Sequence, residues 1–171
     1  MKWWSRTCTL VVSLAVLTVP AAAATKSNGI VSVTIPDTWR FGDVPFILTF
    51  KPSDNPTHIF GLANAFSVEG ETAREEAEYR CNAARERGVA CDTIQDAFIG
   101  PHAPAVYTYF FETDEMTGEE MATLHYFAVQ SAVQSGTDTM IELAITAPRA
   151  MFSERPGFLD DVDFIKDNLR F

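Results

Sequence analysis

Between positions 31 and 35 apolar and hydroxyl-bearing residues alternate, with Val31, Val33 and Ile35 on one side and Ser32 and Thr34 on the other, and the pattern breaks at Pro36-Asp37. A period of two followed by such a break predicts a strand and a turn. A second short strand is expected in PFILTFKPSDNP (45–56), and a third extended segment, with Gly61 as a flexible point, in HIFGLANAFSVE (58–69).

The period then changes. Thr72 with Glu75 forms a T-x-x-E capping pattern, and Gly88 supplies a left-handed stop, so a helix is expected over about 73–87. Ala73, Ala77, Cys81 and Ala84 share one face of it, small enough to approach a sheet closely, while Glu75, Glu76, Arg80 and Arg85 point elsewhere and Glu76–Arg80 forms an i,i+4 pair. Further extended segments follow in 90–99, 103–115, 119–133 and 136–147. In MATLHYFAV both alternating sets are largely apolar, which predicts a strand in a sheet covered on both faces. A second helix, about 157–169, is marked by Phe158, Val162, Ile165 and Leu169 on one face, with Asp160, Asp161 and Asp163 early and Lys166 and Arg170 late, complementing its dipole. The expected fold is α+β: a single-domain α/β/α sandwich with a mostly antiparallel sheet, one central helix and a C-terminal helix.

An opening strand ending in VTIPDTWRF, a helix after the third extended segment, a run of antiparallel strands and a closing helix in FIKDNLRF together resemble the PsbP-like and DcrB-like α/β/α sandwich proteins. That resemblance implies a non-enzymatic domain that binds protein partners, in photosystem assembly or as a secretion-associated adaptor, and carries over no catalytic residue. The Cys81/Cys91 pair is not part of the family pattern.

The N-terminus changes the picture of where such a domain works. Lys2 and Arg6 precede an apolar run from about Leu10 to Val19, then Pro20 and a string of alanines: the layout of a secretory signal peptide, expected over 1–24 with the mature domain at 25–171. The run is shorter than a membrane span, and no other stretch comes closer. A bacterial periplasmic address is expected, with full secretion as the alternative. The chain has 13 basic and 23 acidic residues, and removing Lys2 and Arg6 leaves 11 against 23, a mature charge of −12. Nucleic acid and anionic membrane surfaces repel such a chain, whereas a basic protein or a cation is attracted.

Candidate chemistry is sparse. His58, His102 and His125 lie far apart with no zinc-ligand spacing, and neither a G-x-S-x-G elbow nor a phosphate-binding glycine loop is present, so no catalytic residue, metal ligand or cofactor is expected. Cys81 and Cys91 stand ten positions apart, unlike the C-x-x-C of redox sites, and in an oxidising compartment they are expected to close a disulfide that pins the helix to its sheet. Tyr107, Tyr109 and Phe111 alternate along one strand face, a pattern of core packing or of a ligand pocket. ETDEMTGEE concentrates Glu112, Asp114, Glu115, Glu119 and Glu120 about one turn; it lacks EF-hand spacing and reads as a solvated turn or a cation site. These five, with Trp39 and the loop residue His102, make up the expected interaction surface. The functional expectation is a protein-interaction module, in one version an immunity or adaptor protein for a secreted effector. The alternatives are a small-ligand or cation-binding protein and a hydrolase whose residues converge only in three dimensions.

Overall fold

The computed structural model describes residues 23–54, 58–131 and 137–171; the expected leader lies outside the described residues apart from Ala23 and Ala24. The main sheet has the strand order β3-β4-β5-β10-β9-β8-β6, built from β3 (Trp39–Phe41), β4 (Leu48–Pro52), β5 (Phe60–Val68), β10 (Asp138–Pro148), β9 (Glu120–Gln130), β8 (Ala103–Thr113) and β6 (Ala90–Cys91). Strand β7 (Gln95–Ile99) also pairs with β8, and every one of these pairings is antiparallel. A small second sheet joins β1 (Ala24–Ser27), β2 (Ser32–Ile35) and β11 (Leu169–Arg170).

Helix α1 (Ala73–Glu86) covers one face of the main sheet, packing on β8 and β9. The other face meets α2 (Met151–Glu154), α3 (Pro156–Asp167) and the small sheet, so the α/β/α layering expected from the sequence is the observed one. Alternation explains both cores. Leu124, Tyr126 and Ala128 of β9 join the larger cluster with Ile141, Leu143 and Ile145 of β10. Phe127 and Met140 face the other way, towards Ala77 of α1. Val31, Val33 and Ile35 are fully buried against this larger core, each worth roughly 1.5–3 kcal/mol over exposure.

Local chemistry sets the helix ends. Thr72 and Glu75 form the full capping box, Oγ1 of Thr72 accepting from Glu75 N at 3.2 Å and Oε2 of Glu75 accepting from Thr72 N at 2.8 Å. Gly88, at φ +81°, reverses the chain while Val89 N donates to Ala84 O. The small stripe behaves as its spacing predicts: Ala77, Cys81 and Ala84 are buried. Glu76 does not point away as expected; it is buried too, because Arg80 Nε reaches Oε1 at 2.6 Å and keeps the carboxylate paired.

Two other expectations change. The closing helix starts at Pro156 and ends at Asp167, so Leu169 packs from β11 rather than from a helix face, and Arg170 caps α3 from outside by donating to Asp167 O at 2.7 Å. With that start no acidic residue lies in the first turn, and the dipole does not account for Asp160, Asp161 and Asp163. Gly61, in turn, is not a point of freedom. A Cβ there would collide with the Phe50 ring, which lies across β5 where glycine leaves space.

Candidate functional site

Cys81 and Cys91 form a disulfide with a Cα–Cα distance of 5.5 Å, joining the buried face of α1 to β6. Thr108 lies fully buried beside it and donates to Asp92 O at 3.0 Å. The bridge is internal, and the three larger surface grooves lie away from it or beside it.

The most apolar groove, about 630 Å³, opens beside α2 and α3. Its floor is Trp39, Ile59, Met151 and Phe158. Trp39, one of the expected interaction residues, is only 3% exposed, held by Phe50 (centroids 5.9 Å apart) and Phe158 (6.3 Å). Its indole Nε1 donates to Oδ2 of Asp161 at 2.8 Å, which fixes a carboxylate over the apolar floor. Asp54 and Glu119 add two more carboxylates, against Arg155 and His58. Charge and apolar surface therefore meet in one place, and the local balance is acidic.

A second groove, about 600 Å³, lies between the C-terminal end of α1 and the sheet, lined by Arg80, Arg87, His125, Glu112 and Glu115 among others. Beneath it, His125 Nδ1 approaches Oε1 of Glu142 to 3.1 Å without meeting hydrogen-bond geometry, an electrostatic contact. Burial raises the Glu142 carboxyl, but His125 and then Arg80 outweigh it, and the group is held below the ordinary carboxylate range. Phe110 and Phe127 flank the imidazole at centroid distances of 4.8 and 5.7 Å.

The third groove, about 640 Å³, separates α3 from the strands and carries Tyr107, Tyr109 and Tyr126 on one wall. His102 stands at its edge, the only one of the expected surface residues that it contains. Lys166 reaches Asp163 at 2.9 Å and Asp167 at 3.4 Å; burial disfavours its charge, yet these carboxylates keep its pKa raised.

The acidic turn therefore disperses instead of converging. Asp114 is a turn former, accepting from Met116 N at 2.8 Å and Thr117 N at 3.0 Å, and stands 3.9 Å from His58 Nδ1. Glu120 faces Arg149 at 3.4 Å, Glu112 and Glu115 turn to the second groove, and Glu119 reaches the Trp39 groove. Among the described residues no group of three or more His, Cys, Asp or Glu could hold a metal ion. No described helix is long and apolar enough to cross a membrane. Sequence reasoning passed over Asp161 and Asp163 as helix-start acids, yet each lines a groove.

No family model matches the chain, and no curated protein matches it by sequence. Solved structures share its fold. A Bacteroides thetaiotaomicron protein superposes with a TM-score of 0.59 at 14% identity over 88% of this chain and 48% of its own, so the chain spans about half the length of that protein. LpqN of Mycobacterium tuberculosis, described as involved in cell envelope biogenesis, superposes at 0.58 with 12% identity over 86% of this chain and 89% of its own. At such identities the likeness is one of fold.

Proposed function

We propose that this chain is a non-enzymatic binding module of the bacterial periplasm that captures a basic segment of a partner protein in the Trp39 groove. The observation that carries the reading is the Trp39–Asp161 hydrogen bond, which aims a carboxylate across an apolar aromatic floor. A lysine or arginine laid there buries its stem on Trp39, Ile59 and Phe158 while its head meets Asp161, Glu119 and Asp54. The mature charge of −12 adds long-range attraction that raises the encounter rate. In its concrete form the module is an immunity or adaptor protein for a secreted effector, and the PsbP-like and DcrB-like resemblance belongs to the same proposal. The internal disulfide and the signal-like N-terminus support the oxidising address.

The test is affinity capture from envelope extract at low salt with the mature chain and with its Asp161→Asn/Glu119→Gln variant. The reading expects a basic protein retained by the parent and lost from the variant. Equal retention by both, or retention of acidic proteins only, sinks it.

A further inference from the structure

The tyrosine groove is a second, chemically different site. Tyr126 is only 7% exposed as a residue, and its hydroxyl, which bonds to no other described residue, keeps its access to the groove. The Tyr109 hydroxyl is likewise without a partner there, whereas Tyr107 donates to Oε1 of Gln95 at 2.8 Å. Burial raises the pKa of both Tyr126 and Tyr109, and the negative charge of Asp163 adds to it, so both hydroxyls remain donors at neutral pH.

The remaining groups restrict what could meet those donors. Asp163 and Asp167 neutralise Lys166 and leave the trio one negative charge in excess, which disfavours an anion. A wholly apolar ligand would leave the two phenols unpaired. The walls offer aromatic faces, with Tyr107 and Tyr126 rings 5.6 Å apart, and Phe98 stands at the groove 62% exposed. Aromatic faces beside phenol donors, an ammonium and carboxylate acceptors match a ring with C–H faces and hydroxyl edges. A volume of about 640 Å³ accommodates one or two such rings. We infer that the groove between α3 and strands β7 to β9 binds a neutral saccharide, with the Tyr126 and Tyr109 hydroxyls and the carboxylates of Asp163 and Asp167 reading its hydroxyl groups.

The experiment titrates the mature chain with neutral disaccharides (maltose, cellobiose and chitobiose), followed by amide NMR shifts, and repeats the binding with a soluble neutral glucan to separate free sugars from glycan chains. Shifts are expected to cluster over 95–109, 124–126 and 159–167. Tyr126→Phe removes only the oxygen and should weaken binding about tenfold, the factor that corresponds to about 1.4 kcal/mol, with an unchanged melting midpoint. Asp161→Asn, in the other groove, should leave saccharide affinity unaltered, so the two proposals fail separately. Response to disaccharides and glucan alike assigns the site to glycan chains, and to disaccharides alone assigns it to free sugars. Absence of shifts with every probe, shifts centred elsewhere, or equal affinity in Tyr126→Phe overturns the inference.

Discussion

Removing the Cys81–Cys91 bridge should loosen α1 before anything else. The perturbation is the Cys81→Ala/Cys91→Ala variant of the mature chain, alanine being chosen because Cys81 is 1% exposed and a serine hydroxyl there would need a partner. The bridge spans a sequence separation of 10, and the chain-entropy relation for a loop of that length gives about 2.7 kcal/mol at 25 °C. For a domain near 150 residues, about 2–4 °C of midpoint accompanies each kcal/mol, so a loss of roughly 5–11 °C is expected. Thermal unfolding followed by circular dichroism with and without reductant measures it. The reduced parent and the variant should melt close together, the variant should ignore reductant, and amide exchange should accelerate first across Ala73–Glu86. A reductant shift under about 2 °C would refute the account of the bridge as a constraint on the unfolded chain, as would two titratable thiols in the native mature protein.

Gly61→Ala should destabilise by about 1–3 kcal/mol in denaturant unfolding, since the added methyl collides with the Phe50 ring; a neutral outcome would mean that Phe50 does not cross β5. Thr72→Ala, which removes one half of the capping box, should cost about 1 kcal/mol by the same assay, and no measurable loss would count against that cap. Glu142 has a depressed folded-state pKa, so its stabilising contribution is present above the ordinary carboxylate value of 4.5 and disappears as pH falls through the lower folded value. Glu142→Gln should therefore be less stable than the parent at neutral pH, with the gap closing in acid, and a gap independent of pH would contradict the contact with His125 and the attraction of the Arg80 charge.

Features that depended on neighbours in sequence were legible. Val31, Val33 and Ile35 declared a buried strand by alternation, Thr72 and Glu75 declared a helix start, and the alanine stripe told which face of α1 would carry Cys81. Features that depended on distant partners were not. Asp161 reads like any helix acid until Trp39, 122 positions earlier, donates to it. The Glu76–Arg80 pair was legible from its i,i+4 spacing, but the burial of Glu76 was not, because nothing along the helix says that this side chain will lie against the sheet. Gly61 reads as freedom because the Phe50 ring that needs its empty side comes from the adjacent strand. The helix expected to run to 169 stops at Asp167, since pairing Leu169 and Arg170 with β2 satisfies their backbone in extended form. The acidic turn was legible as a turn, through Asp114 and Gly118, but not as two ion pairs, with His58 and Arg149, and three further acids spread over two grooves.

The central claim, a basic segment seated over Trp39, has a direct reporter, because the chain has three tryptophans and two of them, Trp3 and Trp4, lie in the expected leader. Mature protein would be titrated with a lysine- and arginine-bearing peptide and with an acidic peptide of equal length while Trp39 emission is followed. Measurements at about 0.01 M and about 0.1 M salt span a fall in screening length from about 30 to about 10 Å. The account predicts a saturable emission change with the basic peptide alone, weaker at the higher salt and lost in Glu119→Gln/Asp161→Asn. An unchanged emission, or an equal response to both peptides that salt does not alter, would contradict it.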